Sequence, residues 1–416
     1  MFRMLVSIIR ITYNSNRKMR GKSMKLKLCF GVALFAVLLS GCGINKNNAN
    51  NSGNNSSGQS GALSDGTLVF EGGEVRAKDN SISGKIVIPE SYEGMKITSV
   101  GSFEGCNKIT SITIPDSVTK IAKGSFKGCI ALEEYTAPFV GLTSDATGRN
   151  ALFGMVFGND EYTGSTKVIQ NYSGASGDHT NVYIPNSLTK VKITNATTLG
   201  YGAFDDMSML TTIELNDGIV AIGGSCFFAC SAVKEISLPN ITDLPSNTFA
   251  GASSLETFTI NSKIRSIGTA CFKNCINLSK VNSEVNGSFV IPNTVTSIKG
   301  DAFSGCIKVT SFTAPFVGES DSSTGRDGVF GIIFGGNSYT GGTGVIQHYS
   351  ATAGHYSTFY IPSGLRSVSI TNATRIGYGA FNNMNMLEEL RINASAQSNV
   401  GDSAFDGLSC SVTWVA

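Results

Sequence analysis

Two periods run through the apolar and polar positions of this chain, one nested inside the other. In residues 109–129 the apolar set is Ile109, Ile112, Ile114, Val118, Ile121, Phe126 and Cys129. The Ile112-Thr113-Ile114 core alternates with period two, which predicts a short strand with one buried face. Pro115 follows it, where a missing N–H no longer breaks a ladder, and Pro89, Pro239 and Pro292 stand at the same place in other copies. Val118 and Ile121 predict a second short extended piece. The Phe-x-Gly-Cys phrase at Phe126 predicts a tight helical or 3-10 turn, with the glycine easing a close stack.

The longer period is the return of that phrase. Anchor phenylalanines stand at 103, 126, 204, 227, 249, 272, 303, 381 and 405, in steps of 23, 78, 23, 22, 23, 31, 78 and 24 residues. One such unit cannot bury its apolar side alone; stacking units at about 4.8 Å per coil does so. A beat near 23 with aliphatic spacing predicts a repeat solenoid of leucine-rich repeats, with short parallel strands and 3-10 or helical turns. The middle residues of the strands (Thr113, Thr136, Lys192, Glu214, Ser237, Thr259, Thr313, Ser369 and Arg391) are expected to form one polar sheet face. Residues 63–100 read as an N-terminal cap and first repeat, 101–416 as the solenoid, closed by a segment holding Trp414.

The two 78-residue steps each carry about 55 extra residues, read as strand-rich inserts at about 139–190 and 316–367. Shifted by 177, residues 136–204 align without a gap to 313–381, with 38 of 69 identical. This duplication tests for chemistry, because catalytic work needs an acid, base or nucleophile at matched positions. No Asp, Glu, His, Cys or Lys is shared between the two inserts. The shared polar and aromatic residues are Arg149/Arg326, Gln170/Gln347, Asn195/Asn372 and tyrosines. Phe139/Phe316, Phe153/Phe330 and Phe157/Phe334 are expected to form the insert's own core. Arg149, Tyr162 and Tyr172, with their counterparts Arg326, Tyr339 and Tyr349, make a candidate recognition patch; the bland alternative is tyrosines covering the insert with their hydroxyls in water.

Charge redraws the N-terminal end. Residues 1–42 hold eight Lys/Arg and no acid, so the rest of a chain of formal charge +2 is near −6 (24 basic against 30 acidic). A slightly acidic body without a basic block argues against nucleic-acid binding. Lys25 and Lys27 precede an apolar run, Leu28 to Leu39, too short to cross about 30 Å of hydrocarbon, and residues 1–41 read as a secretory signal. Residues 1–23 are long for such a leader, and translation is expected to start at Met24 or Met19. Residues 42–62 are expected to be a tether: Asn45 to Gly61 is almost all Asn, Ser and Gly, with a reach of roughly 20–25 Å.

Two resemblances follow from particular phrases. Leu39-Ser40-Gly41-Cys42 resembles the bacterial lipobox, which implies cleavage before Cys42, lipid attachment to it and a membrane anchor facing outside; the alternative is a plain signal peptide with an incidental cysteine. Ile-Val-Ile-Pro-Glu-Ser-Tyr-Glu-Gly from Ile86, Ile-Thr-Ile-Pro-Asp-Ser-Val-Thr-Lys-Ile from Ile112 and Phe126-Lys-Gly-Cys129 resemble the BspA-like leucine-rich repeat surface proteins of bacteria, over about 65–416. That resemblance implies a surface-exposed solenoid, with host matrix proteins or other bacteria as partners of some members.

Other chemistry falls away. Cys106, Cys129, Cys230, Cys275 and Cys306 share one repeat position, and Cys226 and Cys271 precede an anchor Phe. They read as buried core thiols, though Cys106–Cys129 and Cys275–Cys306 in successive coils stay within disulfide reach. Cys226-x-x-x-Cys230 and Cys271-x-x-x-Cys275 lack a nearby His to complete a zinc set. Gly335-Gly336 lacks the Lys-Ser/Thr of a phosphate loop, and Gly325-Arg326-Asp327-Gly328 reads as a turn. No cofactor, metal, catalytic residue or small-molecule substrate is expected. The reading is a non-enzymatic surface lipoprotein binding an extracellular protein or glycan, with a structural envelope spacer as the alternative.

Overall fold

The computed structural model describes residues 63–416. The expected leader, Cys42 and the tether lie outside the described residues.

The alternating phrases form strands, and the strands stack in parallel. One ladder runs Ser83–Val87, Lys108–Thr113, Glu134–Ala137, Lys190–Ile193, Thr212–Leu215. A second runs through seven strands from Thr257–Phe258 to Val412–Val415. Register follows the pattern: Tyr135 lies opposite both Ile112 and Val191, and Val191 opposite Ile213. These apolar residues point inward and are buried, while none of the nine predicted middle residues is. The Val…Ile pieces form the second set of short parallel ladders, such as Ser99–Val100 on Lys120–Ile121 and Ser266–Ile267 on Ser297–Ile298. The end cap is antiparallel: Leu68–Glu71 pairs with Glu74–Ala77, which then passes the ladder on to Ser99–Val100. At the other end Val412–Val415 adds to Glu389–Asn393, and Trp414 meets Phe405 edge-on at 6.3 Å.

The Phe-x-Gly-Cys phrase forms a run of turns rather than the expected helical or 3-10 turn. Its third residue explains why. Gly105, Gly128 and Gly305 have φ of +76°, +77° and +77°, and the looser copies put Asp206, Ala229, Asn274 and Asn383 at +54° to +59° there. A left-handed residue ends any right-handed helix. Glycine is favoured for the close approach as well: a Cβ on Gly128 would sit 3.3 Å from the Gly105 Cα of the coil below.

The phrase also builds two ladders in the core. The anchor rings stack coil on coil, with Phe204–Phe227–Phe249–Phe272–Phe303 at centroid distances of 5.8, 5.4, 5.4 and 5.5 Å. Beside them each cysteine donates its thiol to the anchor carbonyl of the preceding coil: Cys129 to Phe103 at 3.3 Å, Cys230 to Phe204 at 3.1 Å, Cys275 to Phe249 at 3.2 Å and Cys306 to Phe272 at 3.2 Å. The open question of disulfides resolves to free thiols at all seven stacked positions.

The two long steps contain more than an excursion. After the strand Glu134–Ala137, two 3-10 turns (Gly148–Ala151 and Phe153–Val156) take the place of the missing Phe-x-Gly-Cys turn. The Phe126 N–H donates to the Val156 carbonyl and the Phe153 N–H to Ala203, each at 2.9 Å. Phe153 stacks on Phe204 at 5.3 Å, and Phe330 on Phe381 at 5.5 Å in the second copy. Phe153, Phe157 and their counterparts therefore belong to the solenoid's ring stack rather than to a separate insert core. A β-hairpin follows, Ser165–Asn171 with His179–Pro185, and Gly342–His348 with Tyr356–Pro362 in the second copy. Buried Gln170 and Gln347 tie each hairpin down. Their Oε1 atoms accept from Gly154 and Gly331 at 2.9 and 2.7 Å, and their amides donate to the Ala203 and Ala380 carbonyls.

Candidate functional site

The sheet face carries charge in register. Lys190 pairs with Glu134 at 3.0 Å, Lys192 with Glu214 at 3.1 Å, Lys234 with Glu256 at 3.0 Å and Arg366 with Glu388 at 3.5 Å, all across neighbouring coils. Exposed pairs of this kind contribute little stability, on the order of 0.2–1 kcal/mol each. They do leave most of the face neutral and wetted.

One stretch departs from that regularity. Between Thr212–Leu215 and Thr257–Phe258 the intervening segment Lys234–Leu238 forms no strand, and the parallel sheet divides there. Among the described residues its only main-chain bond to a neighbouring coil is the Glu256 N–H to the Lys234 carbonyl, at 2.9 Å. The Phe stack on the opposite side continues undisturbed past it. The result is a cleft of about 970 Å³ on the sheet face. Its floor includes Ile213, Ile236 and Phe258, and its rim Glu214, Lys234, Glu235 and Glu256. Glu214 and Glu256 are ion-paired, whereas exposed Glu235 has no such partner among the described residues, so the rim is acidic on balance. Main-chain groups without ladder partners, over an apolar floor, are the elements of extended-peptide recognition. Nothing in the phrase Ile236-Ser237-Leu238-Pro239 distinguishes it from the copies that do pair.

The six residues of the insert patch do not converge. Tyr162 and Tyr339 lie half-buried at the hairpin base and donate their hydroxyls to the Tyr183 and Tyr360 carbonyls, at 3.0 and 2.7 Å. Burial pushes both phenols up. Tyr172 and Tyr349 lie half-buried at the hairpin's far end, packed against the core, and Tyr349 stacks on His355 at 6.0 Å. Arg149 and Arg326 are exposed; Arg326 sits 5.3 Å over the Phe359 ring, where the first insert has Val182.

The cysteines offer no reactive thiolate. Burial pushes the Cys106 thiol up to about 11 and Cys129 to about 12, and raises Cys226, Cys230, Cys271, Cys275 and Cys306 further. Among the described residues no group of three His, Cys, Asp or Glu side chains is placed to hold a metal. One buried acid went unnoticed in the sequence. Asp205 is 1% exposed, its Oδ2 accepts from the Asn171 N–H and amide at 2.8 and 2.7 Å, and its Oδ1 has no partner. Desolvation first, with Asp206 adding, pushes its carboxyl up to about 6. After the second insert Asn382 stands at that place, one residue past the aligned block.

Comparisons with known proteins agree on the repeat. The family model for a BspA type leucine rich repeat region matches residues 80–147, 95–194, 179–286, 286–320 and 347–413. Among solved structures, the chain is similar to a leucine-rich repeat protein from Bacteroides ovatus, at 20% identity over 82% of this chain and 78% of that one, with a TM-score of 0.39. It is similar also to a leucine rich cell surface protein from Faecalibacterium prausnitzii, at 21% identity over 87% and 96%, with a TM-score of 0.33. A leucine-rich repeat protein from T. pallidum matches at 15% identity over 57% and 83%, with a TM-score of 0.25. No curated protein matches.

Proposed function

The chain belongs to the BspA-type leucine-rich repeat family, and from that premise we propose that it is a surface-exposed binding protein whose sheet face captures an extended, basic segment of an extracellular protein. Leucine-rich repeat solenoids are non-catalytic scaffolds, and what such a scaffold offers a partner is a long, preformed face. The single observation that carries the reading is the cleft at Lys234–Leu238. There the face offers an opening, an apolar floor and an acidic rim together. A Lys- or Arg-bearing extended segment laid across the face would meet the Glu235 carboxylate there. Of the six insert residues, the exposed Arg149 and Arg326 add separate contact points in this reading, while Tyr162, Tyr172, Tyr339 and Tyr349 hold the hairpins. Lipid attachment at Cys42 would hold the solenoid on the outer side of a membrane.

Ser237 is exposed in the middle of the cleft, so Ser237→Trp fills it without touching the core. Ser369→Trp places the same bulk at the same repeat position on the continuous ladder. Screened against host matrix proteins, the full chain should show saturable binding that Ser237→Trp weakens at least about tenfold and Ser369→Trp leaves alone. No saturable binding to any of them would favour an envelope spacer instead. For the anchor, a Cys42→Ala variant should leave the membrane fraction; retention there would refute lipid attachment.

A further inference from the structure

The inserts leave a second kind of site, and they leave it twice. A pocket opens where the Thr-Gly turn ahead of the 3-10 segments faces the Gly-Tyr segment that re-enters the solenoid. Its shared lining is Thr147, Gly148, Gly200 and Tyr201 in the first copy, and Thr324, Gly325, Gly377 and Tyr378 in the second. The two volumes are about 290 and 300 Å³, at the lower end for ligand pockets and suited to one small ring.

The walls differ in charge. In the second pocket Tyr349 and Ser350 close the hairpin side, and Arg375 stands where the first has Thr198. In the first, Asp145 lines the wall, where the second copy has Ser322. Arg375 is half-buried and has no hydrogen-bond or ion-pair partner among the described residues, in contrast to Arg366 and Arg391 on the sheet face. The nearby Asp321 carboxylate is engaged by the Thr374 N–H and hydroxyl instead. A half-buried guanidinium aimed into a pocket with its fork unfilled is built for a carboxylate. Tyr349 and Tyr378 contribute rings with hydroxyl rims, which suit the alternating C–H faces and hydroxyls of a sugar. Ser350 and Thr324 can each donate and accept with sugar hydroxyls.

We propose that the pocket of the second insert binds a sugar ring bearing a carboxylate, with Arg375 on the carboxylate and Tyr349 and Tyr378 framing the ring. The pocket of the first insert shares the Thr147, Gly148, Gly200 and Tyr201 lining but is closed by Val140, Thr143 and Asp145 in place of the hairpin, and it lacks the cation. This site is independent of the sheet-face cleft, so failure of peptide capture there leaves it standing.

The test titrates the full chain with galacturonate, galactose and acetate, followed by chemical-shift changes and calorimetry. Galacturonate should saturate one site, with galactose and acetate at least about tenfold weaker. Arg375→Gln should remove galacturonate binding while the melting temperature stays within about 2 °C, as befits a side chain without partners. Arg375→Lys, which keeps the charge but loses the planar fork, should weaken galacturonate at least about fivefold. No saturation, binding unchanged in Arg375→Gln, or acetate binding as tightly as galacturonate would each overturn the proposal. Should Arg375→Gln fail to fold, Arg375→Lys decides: galacturonate binding weakens if the assignment is right and is unchanged if it is wrong.

Discussion

At position 205 the first insert buries a carboxyl where the second buries the Asn382 amide. Asn382 shows what the place asks for: its Oδ1 accepts from the His348 N–H and its amide donates to the Asp406 carbonyl, both at 3.3 Å. An ionised Asp205 satisfies the accepting half, through Asn171, and has nothing to donate; protonation removes the buried charge and supplies a donor. Its folded pKa of about 6 lies above the ordinary carboxyl value of 3.8, so the charged form destabilises the fold above pH 6. This contribution makes stability rise as pH falls from about 6 towards about 4 and then level off. Asp205→Asn should therefore gain roughly 2–3 kcal/mol at pH 7 and nothing at pH 4, read as the difference from the unmutated chain in urea midpoints. Taking the difference matters, because Glu134 and Glu389, held low by Lys190 and by Ser367 with Arg391, respond in the opposite sense. An equal gain at both pH values would show that shape rather than charge sets the effect. The Asp-to-Asn difference stands one residue past the aligned block, and its meaning is not legible there, because burial at one residue depends on the hairpin folding back over it.

Among elements, the Phe-x-Gly-Cys turn was legible as a packing device, and its geometry was only half legible. Periodicity reveals which residues face inward; it does not reveal that the glycine has φ near +77°, nor that the cysteine thiol bonds to the carbonyl one coil below. The inserts were legible as duplicated blocks and misread in packing. Phe153 and Phe330 looked like the core of a separate unit because they fall off the 23-residue beat. In space they fill the missing rung, since what a stacked coil needs is a ring at the right height rather than at the right count. Phe153→Ala should therefore cost about 3–5 kcal/mol, as much as Phe126→Ala, because each removes a ring from the same continuous stack. If Phe153→Ala cost much less than Phe126→Ala by denaturant melts, the insert would be packing on its own and the rung would be dispensable.

The whole described unit is a single stacked core with two contrasting sides, and the proposed peptide capture rests on the side where the regularity fails. Nearest-neighbour stacking explains why so much could be read from spacing alone: each coil answers only to the coils beside it. The same locality explains what was hidden. Ladder pairing at Lys234–Leu238 depends on the separation of three coils, and the sequence phrase there is intact. Arg375 was hidden for a similar reason, as its pocket forms only when the hairpin turn and the re-entry segment meet. The claim that most needs testing is that the cleft, rather than the face at large, captures the partner. Binding isotherms of the full chain, Ser237→Trp and Ser369→Trp against one matrix protein at fixed ionic strength test it most directly. The account predicts a loss of at least about tenfold for Ser237→Trp and none for Ser369→Trp; equal affinities for all three, or an equal loss in both variants, would contradict it.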